Sequence, residues 1–169
     1  ILLYLFTASP TPMLIRGMAD GKHMSHIPGD PNASGAIPIL RSDDSTQGLV
    51  FTWSTWIFIE NMTYKHGSIK HIFHKGGDNK GETPGVFAQN CPGLYIAPKT
   101  NALIVTVDTF SGPKAVIIPD TPLNKWVSVI IRVDKQHVLD VFINGTLTRR
   151  KILKGVVEQN YGDVFVAMD

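Results

Sequence analysis

The chain has 169 residues, of which 43% are apolar and 18% charged, and its formal net charge is +2. This is the length of one domain with enough apolar material for a core, and the balance excludes a disordered tail, a coiled coil and a nucleic-acid binder driven by charge. Cys91 has no second cysteine to pair with, so packing alone must hold the fold.

Residues 1–6, Ile-Leu-Leu-Tyr-Leu-Phe, are apolar throughout. A bilayer takes about twenty such residues. The run therefore reads either as the end of a longer membrane anchor, with Tyr4 and Phe6 at the interface depth that aromatics favour, or as a short buried edge strand. Residues 7–36 are rich in proline and glycine and lack hydrophobic period, which predicts an extended arm. Met13, Leu14, Ile15 and Met18 are its candidate contacts, with a partner or with the domain's own surface.

Residues 37–169 read as the folded domain. A first short strand is expected over 36–41, where Pro38 marks it as an edge. Residues 49–60, LVFTWSTWIFIE, place Phe51, Trp53, Ile57 and Ile59 on one face and Val50, Trp56 and Phe58 on the other, which predicts a strand covered from both sides or bent between sheets. Further strands are expected over 68–75, 93–97, 103–109 and 115–118. Over 126–133, WVSVIIRV, the alternation is clean, with Val127, Val129, Ile131 and Val133 on one face. Strands over 138–143 and 146–150 flank Asn144-Gly145, the dipeptide that a tight hairpin turn with positive φ requires. The last strand is 164–168. No window competes with a helical period, and a series of short strands separated by turns implies an antiparallel sandwich or barrel.

The residues that do chemistry are thinly spread. The glutamates are Glu60, Glu82 and Glu158, and none has an acidic neighbour at even spacing on a strand, as paired-carboxylate glycoside cleavage needs. Asp134 and Asp140 flank a turn and are expected to cap it. No Gly-x-Ser-x-Gly elbow is present, and Cys91 sits by a Pro-Gly turn with no base in reach of the sequence argument. The chain is therefore expected not to be an enzyme. His71 and His74 are three apart on a predicted strand, so they should point to opposite faces and act as two separate surface or interface histidines. His23 and His26 fall in the arm. Asp78 and Asn79 carry oxygen donors of calcium's kind, but two are too few for a site, and Gly76-Gly77-Asp78-Asn79 also suits a plain turn. Neither a metal nor another cofactor is expected. The cations Arg149, Arg150, Lys151 and Lys154 read as a solvated strand end. The sequons at Asn32, Asn61 and Asn144 are short enough to arise by chance.

Four stretches, FTWSTWIFIEN, IFHKGGDN followed by PGLYIAPKTNALIVTVDT, IPDTPLNKWVSVIIRVDKQHVLDVFINGTLTRRKIL, and the closing VVEQNYGDVFVAMD, resemble the laminin-G-like members of the concanavalin A-like lectin/glucanase superfamily. The third is the most specific, with its order of proline, Trp, strand, short turn, strand, Asn-Gly, strand. The resemblance implies an all-β, two-sheet antiparallel jelly-roll sandwich preceded by the arm. It is similar to versions encoded by large icosahedral DNA viruses of algae and amoebae. That implies a minor capsid protein, non-enzymatic, tying shell subunits together or to an internal membrane and lying between shell and membrane in the virion. Outside a virus, the implied location is membrane-anchored or secreted. The implied partners are other capsid proteins, a membrane through the N-terminal segment, and a glycan, with no nucleic acid. The family pattern continues past the final aspartate with one more strand, so either that strand lies beyond Asp169 or a partner completes the sheet.

The alternative reading is a carbohydrate-binding, lectin-like module. Sugar sites stack aromatic rings and add a few polar groups. Trp53, Trp56, Trp126 and Tyr95 fall within strand patterns and are expected in the core, whereas Tyr64 and Tyr161 lie near strand ends and are the candidate sugar contacts.

Overall fold

A computed structural model describes residues 12–40, 49–135 and 137–168. The segment expected to end a membrane anchor, residues 1–6, lies outside them. Among the described residues ten strands alternate with loops: β1 (Ser25–Ile27), β2 (Phe51–Phe58), β3 (Lys70–Gly76), β4 (Gly93–Ile96), β5 (Leu103–Val107), β6 (Lys114–Ile118), β7 (Trp126–Asp134), β8 (Val138–Ile143), β9 (Thr146–Ile152) and β10 (Asp163–Val166). They form two antiparallel sheets, ordered β1-β10-β3-β4-β5-β6 and β2-β7-β8-β9. The fold is the all-β sandwich that the strand pattern predicts.

The core lies between the sheets. Val127, Val129, Ile131 and Val133 of β7 are buried, as their alternation requires. They face Leu94, Leu103 and Val105 of the larger sheet, and Trp53 of β2 stacks on Phe73 of β3 with ring centroids 5.6 Å apart. At the β8–β9 turn, Asn144 and Gly145 take φ of 50° and 80°, the left-handed pair the hairpin needs.

Several expectations fail. Residues 36–40 form no strand, and the early edge strand comes instead from the arm, as β1. Its three residues pair with β10 from Ser25↔Val166 to Ile27↔Val164, so the β10 side that the family pattern leaves open is occupied. Among the described residues, strand β2 is covered on one face only. Trp56 is 63% exposed, and Phe58 and Trp126 are half exposed on the same surface, their rings 5.5 Å apart. Trp56 and Trp126 are therefore not core residues. Asp140 caps nothing: it stands in β8, fully buried, and takes Arg150 Nε and Nη2 at 2.7 and 2.9 Å and Arg132 Nη2 at 2.8 Å. The β9 cations are likewise more than a solvated end, since Lys151 Nζ also donates to Ala115 O at 2.8 Å, tying β9 to β6.

Candidate ligand pocket beside a buried histidine pair

The register of β3 decides the chemistry of this region. Between His71 and Phe73 the pairing with β4 slips, from His71↔Tyr95 to Phe73↔Leu94. One extra residue, Ile72, resets the side-chain alternation as a β-bulge does. His71 and His74 therefore share the outer face of the larger sheet, contrary to the expectation from spacing. They are neither exposed nor separate: both are buried, and His71 Nε2 lies 2.8 Å from His74 Nδ1.

The backbone fixes where their protons sit. The Met168 N–H can only donate, and it meets His71 Nδ1 at 2.9 Å. His71 thus carries its proton on Nε2 and gives it to His74 Nδ1. His74 carries its own on Nε2 and donates to Gly77 O at 2.9 Å. Two neutral imidazoles form a directional chain from Met168 to Gly77. Burial pushes the pKa of His71 down to about 3, helped by the neighbouring His74 and Lys80. Burial also lowers that of His74, against the bond to Gly77, which raises it.

A loop over 77–92 closes on this face and makes a second, smaller core. Phe87 stacks on His74 at 4.3 Å between centroids, His74 on Phe165 at 5.2 Å, and Phe165 on His26 of β1 at 4.8 Å. The Lys80 ammonium caps the far end, 4.1 Å from the Phe87 centroid. Beside the ladder, the buried Tyr95 hydroxyl donates to Asn90 Oδ1 and accepts the Phe87 N–H at 3.3 Å, while Asn90 Nδ2 donates to Phe87 O at 2.6 Å. Burial raises the Tyr95 pKa well above the usual phenol range.

At the exposed end of the ladder an open cavity of about 490 Å³ lies against β1, β3 and β10. Its floor is Gly76, Gly77 and Gly162, its rings are His26 and Phe165, its carboxylates are Asp78 and Asp163, and Met24 and Met168 flank it. The glycines are there because three backbones meet. A Cβ on Gly162 would strike the Gly76 backbone, one on Gly76 would strike Gln89, and one on Gly29 would lie 2.8 Å from Gly162 O. Asp163 fastens the arm: Oδ2 pairs with His26 Nε2 at 2.6 Å and Oδ1 accepts the Gly29 N–H at 2.7 Å. Those bonds hold its carboxyl below the usual carboxylate range, the Gly29 N–H having the largest effect.

Among the expected site residues, Asp78 lines the cavity. Asn79 does not; its backbone carbonyl accepts the Ala88 N–H at 2.9 Å. Among the described residues no group of three or more His, Cys, Asp or Glu side chains is placed to hold a metal ion. Tyr161 is 75% exposed, one residue from the cavity floor, and is not part of its lining. Tyr64 lies elsewhere, with the Lys22 and Lys65 ammoniums 5.7 and 5.6 Å from its ring centroid. Of the arm residues, Met13 and Met18 are exposed, whereas Leu14 and Ile15 are half-buried. Cys91 is buried, and its thiol is pushed up to about 12 by burial and by the charge of Asp108. The cavity residues that spacing misses are His26, Asp163 and Phe165. His26 sits in a segment without strand period, and the other two show only the alternation of a closing strand.

No family model matches the chain, and no curated protein is significantly similar to it. Solved structures are similar in fold. The binding domain of botulinum neurotoxin serotype G matches 69% of this chain and 28% of its own, at 16% identity and a TM-score of 0.51. The serotype D ligand-binding domain, solved in complex with N-acetylneuraminic acid, matches 68% of this chain and 27% of its own, at 17% identity and 0.51. The serotype DC binding domain, solved with rat synaptotagmin II, matches 69% and 27%, at 18% and 0.52. This chain thus spans little more than a quarter of those toxin domains, and at these identities the likeness establishes the fold: a jelly-roll-like β-sandwich.

Proposed function

We propose that this domain is a non-catalytic, lectin-like module that binds a saccharide in the cavity between β1, β3 and β10. The observation that carries the reading is the cavity itself. Its volume of about 490 Å³ falls in the range of roughly 300–1,000 Å³ typical of small-ligand sites. It combines an exposed imidazole face, a free carboxylate and a glycine floor that brings backbone to the surface, the mixture that orients a sugar ring. That two of the similar toxin domains were solved with a glycan and with a protein receptor agrees with a binding role.

The absence of catalysis is part of the proposal. Its support is that the polar groups nearby are already committed. Both oxygens of Asp163 hold the arm, the imidazole protons of His71 and His74 are used in their own chain, and the Cys91 thiol is buried. Asp78 is left as a lone carboxylate with no second acid or base group paired to it.

The test is a glycan microarray probed with the full chain and with His26→Ala. We expect binding to a defined subset of glycans that His26→Ala abolishes while the circular dichroism stays unchanged, and no cleavage of any bound glycan. Binding that survives His26→Ala would move the site away from this cavity, with Tyr64 and Tyr161 next in line.

A second reading, a minor capsid component tied to neighbouring subunits or to an internal membrane, draws on exposed Met13 and Met18 in the arm and on the uncovered Trp56, Phe58 and Trp126. None of the structural neighbours named above supports it. Cross-linking mass spectrometry on intact native particles tests it, since the reading requires Lys22 of the arm to link to other shell proteins. Among the described residues no helix is long and apolar enough to cross a membrane.

A further inference from the structure

The hydrogen-bonding inventory of the cavity is lopsided, and the imbalance names a ligand class. The inference rests on the saccharide reading above. Around the cavity, several proton donors of the described residues are already used within the protein. His26 Nε2 and the Gly29 N–H go to Asp163. The Gly77 N–H goes to Gln89 Oε1 at 3.2 Å, and the Gly162 N–H to Asn160 Oδ1 at 3.1 Å. The Lys75 ammonium, the cation bonded to the floor, has three protons and three acceptors: Asn160 O, Asn160 Oδ1 and Gly162 O, at 2.7, 3.0 and 3.1 Å. His71 and His74 give their protons to each other and to Gly77 O. Lys80, the remaining cation of the ladder, is held over Phe87 at the end opposite His26.

Acceptors, by contrast, are left over. Asp78 brings a carboxylate to the wall. Both Asp163 oxygens keep a second lone pair beyond the bonds they accept from His26 and Gly29. A carboxylated ligand would meet the like charge of Asp78 and Asp163, at a cost that specific sites use to reject partners. A ligand rich in hydroxyl or ammonium protons finds its complement.

We propose that the cavity selects ligands that donate hydrogen bonds and carry no negative charge, a neutral or amino-bearing saccharide, and turns away carboxylated sugars.

The experiment uses the full chain and immobilised glycan pairs that differ only in a terminal sialic acid, with glucosamine and glucose as soluble competitors. The uncapped member should bind about tenfold or more tighter, the worth of one hydrogen bond to a charged group, and glucosamine should compete better than glucose. Asp78→Asn should remove most of both preferences. Asp78→Lys should reverse the first; the side chain is exposed, so both variants should fold. Equal or stronger binding of the sialylated member, unchanged in Asp78→Lys, overturns the charge preference and leaves the saccharide reading standing. Failure of every glycan to bind removes that reading, and this inference with it.

Discussion

His71 and His74 each lose their water on folding and keep a single proton whose position the backbone dictates. In the unfolded chain a histidine takes up its second proton near pH 6.5, whereas in the fold His71 resists it until about 3. Between those values the unfolded state binds more protons, so stability is complete above 6.5 and drains away as the pH falls toward 3. At pH 4 the loss from His71 alone should be about 3 kcal/mol. Chemical denaturation at pH 7 and pH 4 measures it, and His71→Gln should flatten the pH dependence over this interval. A flat wild-type profile would mean the pair is open to solvent. Gly162 is the other residue whose identity the fold demands. A methyl there meets the Gly76 backbone, which cannot rotate away as a side chain can, so Gly162→Ala should cost at least about 2 kcal/mol in the same assay.

Among the elements, the two faces of the smaller sheet make opposite predictions. Trp53 of β2 packs against Phe73 inside the sandwich, and Trp53→Ala should cost about 3 kcal/mol or more. Trp56, three residues on, is exposed among the described residues, and Trp56→Ala should change stability by less than about 0.5 kcal/mol. Across β7, β8 and β9, Asp140 serves two arginines from a fully buried position. Its carboxyl is held below the usual range, chiefly by Arg150, so its contribution is present above about pH 4 and lost on further acidification. Asp140→Ala should cost about 1–3 kcal/mol at pH 7, read as a drop in Tm. These elements were largely legible in the sequence. Alternation marks β7, and Asn144-Gly145 marks the hairpin because so few residues tolerate that turn. What alternation cannot reveal is a single-residue slip. The bulge at Ile72 carries no Gly or Pro, so spacing alone put His71 and His74 on opposite faces and hid the pocket they adjoin. The outer aromatics of β2 misled for a related reason: a Trp on an uncovered face has the same letter as a Trp in the core.

For the molecule as a whole, the arm does more than precede the sandwich. Strand β1 extends the larger sheet, and Asp163 holds it through His26 and Gly29. Asp163→Asn should loosen that hold without unfolding the core. Hydrogen exchange at residues 25–27 and 163–166 should then quicken while β5 and β7 stay protected. Saccharide binding should weaken in parallel, because His26 belongs to both the latch and the cavity. Proline and glycine content predicts an extended stretch, but β1 has too few residues to display a period, so its docking emerges only from the strand it meets.

The division of the tryptophans also gives the domain a built-in optical readout. Trp53 is stacked between the sheets, whereas Trp56 and Trp126 stand in solvent on the opposite side of the same sheet. Iodide should therefore quench most of the indole emission at once and leave a blue-shifted remainder. That remainder reports on the sandwich alone, so its red shift would time the separation of the two sheets independently of anything happening at the cavity.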